Sequence, residues 1–436
     1  MKKRTFRRIA CAAAAILVLL PFAFSASASA DISGAVDYVI TNPYATVDWD
    51  TWGRYKANLH THSTVSDGGA TFTEMIEAHY AAGYDILGMT DHGCVNRGWN
   101  VVPTPVPLLS WQMILKKPVP LTQQRYDEIT TGVGRGGRGM TDVVMGIELN
   151  AATLTKTHLN GFFADYGQGD WGRDNDYETP IAGVQAAGGV TFINHPGDWL
   201  ESAKDVNIAK DPKNIRFFAG LFKKYPSCLG MEILNSGDSP TRHDRVLWDG
   251  ILEKVIPAGR NVWGFADSDA HEVSDIGTSF EYFMLPENNL ANVRTAMENG
   301  TFFACGKYAR PELGDAFVGT GDVPAVTRIT VDEAADTITL EASKYDTVEW
   351  VAKGEVIATG LSIDLNAHED QIGCYVRAQL KGPGGICFTQ AFALDDGSAP
   401  PPDNIPFFEQ MWDKIVFAVK SNIIFVIINE LIKELS

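Results

Sequence analysis

Cysteine is scarce in this chain, with six in 436 residues. That is too few for a disulfide-knit scaffold of this length. Basic residues are also short: 36 Lys and Arg stand against 54 Asp and Glu, a formal charge of −18. A surface of that sign repels phosphate backbones, which argues against a binder of long nucleic acid. The longest apolar run, residues 9–24, has sixteen residues, short of the roughly 20 that span a bilayer as a helix. With a mean hydropathy of −0.07, a multispanning membrane protein is excluded. No internal repeat is present, which sets aside solenoids and propellers. What is there is 45% hydrophobic and 21% charged, a composition that buries a real core.

The N-terminus has the order of a secretory leader. Lys2, Lys3, Arg4, Arg7 and Arg8 precede the apolar run, and Ser-Ala repeats ending at Ala28 and Ala30 follow it. Cleavage after Ala30 is expected, which makes the chain exported to the cell surface, the medium or a periplasm. Losing residues 1–30 would take the formal charge from −18 to −23. Five cysteines would remain, an odd number. Cys374 and Cys387 flank a Gly-Pro-Gly-Gly turn at unequal distances, so they do not face each other and no bridge is expected.

Between residues 54 and 306, short apolar runs alternate with helical patterns. The strand candidates are 55–59, 86–89, 143–147, 159–163, 190–193, 229–234 and 262–265. Thr71-Phe72-Thr73-Glu74 reads as a capping box opening a helix, and Gly300 as the stop of another. The alternation implies an α/β fold with a parallel sheet, either open or closed as a barrel. Residues 98–122 form a Pro-rich excursion. From 307 to 394 the helical signal vanishes, and short alternating runs predict a small antiparallel β-sandwich. Residues 395–404 read as a Pro-rich linker. Residues 405–436 read as an apolar C-terminal helix that packs on its own body, pairs with another helix or lies on a membrane surface.

Histidines and acids gather at the ends of these strands. His60 and His62 are two apart, so a strand puts both rings on one face. Asp67 follows on a Ser-Asp-Gly loop. Asp91-His92 ends the next strand, Glu148 ends Gly146-Ile147-Glu148, and His158 precedes an apolar run. His195 lies in Asn194-His195-Pro196. Asp267, Asp269 and His271 close the set. Nine of these imidazoles and carboxylates, all but Asp91 and Asp267, are candidate ligands and point to more than one transition metal ion.

These motifs, in this order, resemble those of the polymerase and histidinol phosphatase (PHP) superfamily over residues 54–306. The resemblance implies a distorted (β/α)7 barrel, followed here by the sandwich and the helix. It also implies two or three divalent ions (Mn, Zn or Fe) and hydrolysis, most often of phosphate esters. By position, His60, His62, Glu148 and Asp269 would hold one ion. Glu148 would bridge to a second held by His158 and His195. Asp67, His92 and His271 would hold a third. The candidate catalytic residues are His92, His271 and Asp269, with either imidazole protonating the leaving oxygen where it is not committed to metal. Asp91 and Asp267 are expected to orient ligand imidazoles, and Arg97, Arg242 and Arg245 to grip a phosphate. Glu232 and Asn235 either line the pocket or serve a turn, and His79, His243 and His368 have no expected metal role. The partner implied is a small phosphorylated substrate. The same site could instead attack a carboxyl or carbamate ester, or the chain could be a non-catalytic metal-containing surface protein.

Overall fold

Local signals set the element boundaries in the computed structural model. It describes residues 36–106, 117–150, 156–170, 176–399 and 405–420, with 422, 424 and 427. The expected leader, the centre of the Pro-rich excursion, half of the Pro-rich linker and most of the final sixteen residues lie outside the described residues.

The first strands are β1 (Val39–Thr41), β2 (Gly53–Asn58), β3 (Ile86–Leu87) and β4 (Thr141–Asp142). Helix α1 (Phe72–Ala81) follows β2, and Thr71 and Glu74 form the expected capping box. Helix α2 (Gln123–Thr131) precedes β4. A second run holds β5 (Ile147–Leu149), β6 (Leu159–Phe162), β7 (Val190–Ile193), β8 (Cys228–Asn235) and β9 (Trp263–Asp267). Between these lie α3 (Glu178–Ala186), α4 (Pro196–Leu200), α5 (Val206–Lys210), α6 (Pro212–Lys224) and α7 (Asp244–Val255). Then come β10 (Ser279–Leu285), α8 (Leu290–Asn299) and β11 (Phe302–Gly306). Gly300 stops α8 in the left-handed conformation, at φ +72°. The remainder is α9 (Arg310–Leu313), β12 (Ala325–Asp332), β13 (Thr337–Ser343), β14 (Thr347–Ala352), β15 (Glu355–Thr359), β16 (Ser362–Asp364), β17 (Tyr375–Gly382), β18 (Gly385–Phe388), β19 (Phe392–Asp395) and α10 (Phe407–Lys420).

The expected (β/α)7 barrel is overturned. The described strands form three open sheets, of eleven, five and three strands. The five-stranded sheet runs β5-β6-β7-β8-β9, and its β5–β6 and β6–β7 pairs are antiparallel. The parallel trio β2-β3-β4 belongs to the eleven-stranded sheet. Strands β3 and β4 are two residues each, too short to carry a ladder onward. Among the described residues, single bridges, Thr61 to Ala270, His92 to Glu148 and Asn96 to Gly146, join strand ends where a closed barrel would have a continuous ladder.

Nor do residues 307–394 form a sandwich of their own. β12, β13 and β16 make the three-stranded sheet, but β18 pairs with β11 and carries β17, β14, β15 and β19 into the eleven-stranded one. Cys387 therefore faces Cys305 and Leu380 on its neighbours, not Cys374. All five described cysteines are free.

Stacked aromatics fill the core beneath the sheets. Phe192 lies on Phe265 at 4.3 Å and Phe283 on Phe302 at 4.9 Å. Buried ion pairs tie the late segments to α7. Arg245 meets Asp238 and Glu312, and Arg377 meets Asp249.

Candidate metal centre

Glu148 sits near the centre of the cluster, fully buried on β5. Five imidazoles surround its carboxylate. His60 Nε2, His158 Nδ1 and His195 Nε2 approach Oε1 at 3.3, 3.2 and 3.5 Å. His62 Nε2 and His92 Nδ1 approach Oε2 at 3.1 and 3.0 Å. Asp269 Oδ1 lies 3.2 Å from both His60 Nε2 and His62 Nε2. A neighbouring group gathers around Asp67, with His62 Nδ1 at 3.7 Å, His92 Nε2 at 3.5 Å and His271 Nε2 at 3.4 Å. The structure thus brings together His60, His62, Asp67, His92, Glu148, His158, His195, Asp269 and His271.

Short chain segments put them there. His60 and His62 leave β2 on one side, and the His62 amide donates to Ala270 O at 2.9 Å, which brings residues 269–271 alongside. Gly93 N donates to Glu148 O at 3.0 Å and Glu148 N to Thr90 O at 3.1 Å, aligning His92 with β5. His195 and Asp269 have φ of +26° and +47°, a region that side chains other than glycine seldom adopt. Such strain gathers at functional sites.

The donor set fits divalent ions. Four groups of three or four ligating atoms converge among the described residues: His62–Asp67–His92–His271, His60–His62–Glu148, His60–His195–Asp269 and His92–Glu148–His158. His62 Nε2, His92 Nδ1 and Asp269 Oδ1 are buried and make no hydrogen bond of proper geometry. Buried polar atoms are nearly always satisfied, so this cluster is built for something other than its own contacts. Imidazole with carboxylate suits Zn, Fe and Mn.

The charge balance says the same. Burial opposes the positive charge of His60, but the carboxylates of Asp269, Glu148 and Glu232 outweigh it and hold its pKa well above the usual value. Burial likewise opposes protonation of His62 and His195, and the neighbouring carboxylates of Glu148 and Asp269 push them up to about 10 and about 9. Burial would raise Glu148, yet the fields of His60, His92 and His158 hold it well below the carboxylate range. Without metal, protons take the place of cations in this pocket, and a bound ion displaces them.

Glu232, on β8, carries a role that the sequence left open. Its Oε1 accepts from His60 Nδ1 at 2.8 Å, which turns Nε2 toward Glu148. Its Oε2 accepts from the His195 amide at 2.7 Å and from Asn235 Nδ2 at 2.9 Å. The signal was available: a lone acid in an otherwise apolar strand. Asp91 and Asp267 bond backbone and hydroxyl groups rather than rings. Asp91 accepts from Ser63 and Ser66, and Asp267 from the Leu59 amide. They shape the loops that carry the ligands.

The three arginines are spoken for by carboxylates. Arg97 pairs with Asp165 and Arg242 with Asp315. Arg245 is buried, and Asp238, Glu312 and the Ile233 carbonyl take its donors at 2.7–2.9 Å. His79, His243 and His368 lie outside the cluster: His79 bonds Met75 O and Asn58, His243 bonds Ser202 O, and His368 bonds Gln371.

No family model matches the chain, and no curated protein matches it. Among solved structures it is similar to a two-domain protein of Bacteroides vulgatus containing a predicted PHP-like metal-dependent phosphoesterase. The identity is 15%, the TM-score 0.40, and the match covers 80% of this chain and 88% of that one. It is also similar to a candidate metal-dependent phosphoesterase of Bifidobacterium adolescentis, at 14% identity and TM-score 0.30, covering 50% and 87%. A third is a lesion-specific endonuclease of Pyrococcus furiosus, at 13% identity and TM-score 0.31, covering 56% of each chain. Likenesses this distant do not carry an assignment of fold or activity; the side-chain cluster does the arguing.

Proposed function

We propose that this chain is an exported metal-dependent hydrolase of small phosphate esters. The observation that carries the reading is Glu148 encircled by five imidazoles, with Asp269 and Asp67 beside them and buried ligand atoms left without hydrogen bonds. Two or three divalent ions (Mn, Zn or Fe) suit the donor set. His60, His62, Glu148 and Asp269 would hold one, Glu148 with His158 and His195 a second, and Asp67, His92 and His271 a third.

Bound ions would acidify water and stabilise charge on the transferring group. The chain's residues divide the remaining work. Glu148 and Asp269 hold the ligand rings at fixed spacing. Where the third ion is not bound, His271, on the more open side of the cluster, would give a proton to the leaving oxygen, with His92 as the other candidate. Arg97 and Arg242 are partly exposed and can exchange a carboxylate for a substrate phosphate. Arg245 is assigned no substrate contact, because its donors are occupied inside the fold. Small substrates are favoured over long nucleic acid by the formal charge of −18.

The test is a panel of phosphomonoesters, phosphodiesters and carboxyl esters, assayed with added Mn, Zn or Fe, beside His60→Ala. The reading expects metal-dependent phosphate release that disappears in the variant. Turnover of carboxyl esters alone would transfer the site to carbonyl chemistry. Stoichiometric metal with no turnover of any ester would make the chain a metal-containing binding protein. Export has a separate check, the N-terminal residue of secreted chain, expected at Asp31.

A further inference from the structure

Helix α10 is amphipathic the wrong way round. Surface helices normally turn their apolar stripe to the core and their charges to water. Here three of its four charges, Glu409, Asp413 and Lys420, face the body of the protein, and Lys414 is exposed. Glu409 and Asp413 both pair with Arg216 of α6, and the Lys420 ammonium lies 4.3 Å over the Trp199 ring. Phe417 is the inward apolar anchor. It is 8% exposed and stacks on Phe217 at 4.1 Å. Residues 409, 413, 417 and 420 follow helical spacing, so the docked side is a single line along the helix.

The opposite side carries Phe407, Phe408, Met411, Trp412, Ile415 and Val419, all exposed. Phe408 is 76% exposed and Trp412 63%. Sixteen large apolar side chains are exposed among the described residues, and the eight outside this C-terminal segment are all valines, only Val101 and Val102 of them adjacent in sequence. The other eight fall at 407–427, where Ile424 and Ile427 continue the series. Because the charged side is already paired, the helix cannot hide this stripe by rolling over without breaking the Arg216 contacts.

We propose that this face docks on a lipid surface. The stripe is convex and lacks charge, so it offers a protein partner no polar register. A 14-residue helix is about 21 Å long, and one face of it buries well under the roughly 800 Å² per partner of a stable dimer. A bilayer interface takes just such a stripe, Phe, Trp and Ile lying along the acyl boundary. The sequence carries the apolar character onward through Ile423, Phe425, Val426 and Ile428, while no described helix is long and apolar enough to cross a membrane. The charges of α10 balance, Glu409 and Asp413 against Lys414 and Lys420, and the chain as a whole is acidic. Attachment therefore rests on apolar contact and favours zwitterionic over anionic lipid.

Flotation of the full chain with phosphatidylcholine vesicles tests this, beside the triple variant Phe408→Gln, Trp412→Gln, Ile415→Gln. The intact chain is expected to float, equally at 0.1 and 0.5 M salt, and the variant to lose at least about tenfold in bound fraction. Circular dichroism and bound metal serve as fold controls, since none of the three residues touches the metal cluster. A chain that stays with the aqueous phase overturns the proposal. If it is then dimeric by light scattering and the variant monomeric, the face belongs to a second copy instead. Flotation that needs anionic lipid and vanishes with salt also overturns it, because charge and not the stripe would then be binding.

Discussion

Two buried clusters of charge lie close together in this protein, and they are built on opposite principles. Around Arg245 every donor meets an acceptor: Asp238 and Glu312 grip the guanidinium from two sides, and the Ile233 carbonyl takes one of its N–H groups. Around Glu148 the atoms are as close, yet His62 Nε2, His92 Nδ1 and Asp269 Oδ1 find no hydrogen bond. The first cluster is complete and stabilises the fold. The second is incomplete by itself, and the proposed metal ions would complete it. Burial and charge alone do not separate a structural network from a functional site; the contrast here is that unsatisfied imidazole and carboxylate atoms gather in one pocket.

The largest test of that contrast is Glu148→Ala. It removes the carboxylate shared by five rings, and metal bound per chain, read by elemental analysis, should fall to background, a loss beyond about 100-fold in affinity. Full retention of metal would dissolve the distinction. Next is Asp238→Ala, which strips half the partners from buried Arg245. It should lower unfolding free energy in urea by about 3–5 kcal/mol while the folded fraction keeps its metal.

His79 sharpens the contrast from a third side. Its ring is buried and fully bonded, and burial pushes its pKa down to about 4. In the unfolded chain it titrates near 6.5. The neutral ring therefore supports folding fully above about pH 6.5, and that support is lost as pH falls toward 4, by up to about 3 kcal/mol. Urea midpoints at pH 7 and 4.5 should show a shallower acid loss in His79→Gln, with metal content unchanged at pH 7. In the incomplete cluster pH acts in the same sense, but on ligand uptake rather than on folding. His62 and His195, raised to about 10 and about 9, must release protons, so apparent metal affinity should rise between pH 6 and 8, measured by titration calorimetry.

The smallest effect is expected from Glu232→Gln. It disturbs the bond that aims His60 and the one that pins the His195 backbone, and should weaken metal binding about tenfold. A change in urea stability with no change in metal affinity would place Glu232 with the Arg245 type of network.

Most of the side-chain cluster was legible because it obeys strand geometry. His60 and His62 share a face by their spacing of two, and Glu148, His195 and Asp269 each follow an apolar run. The capping box at Thr71 and the stop at Gly300 were legible for the same reason, since both depend on a few neighbouring residues. Sheet closure was not, because it depends on which strands pair. Nothing local to residues 147–162 says that β5 and β6 run antiparallel, or that β18 crosses more than eighty residues to join β11. The fate of the arginines was hidden for the same cause: Arg245 finds Glu312 only in the folded chain. The C-terminal segment was recognisable as a helix, but which side it turns inward depends on Arg216 and Phe217, some two hundred residues away.

The join between β11 and β18 has a consequence for how such a chain can be inherited. Residues 302–306 are completed by a strand from the last third of the sequence, through Ala304–Phe388, Cys305–Cys387 and Gly306–Ile386. Asp249 of α7 is neutralised by Arg377, and Arg245 by Glu312, both from beyond residue 306. A gene fusion or deletion with its breakpoint at 306 would bare a buried strand edge, leave Asp249 without its cation and take from Arg245 one of its two carboxylates. The later segment is therefore not a detachable module that evolution can swap for another. Ligand-bearing half and late strands must travel together, and a gene fragment ending at 306 should yield aggregate rather than a smaller enzyme.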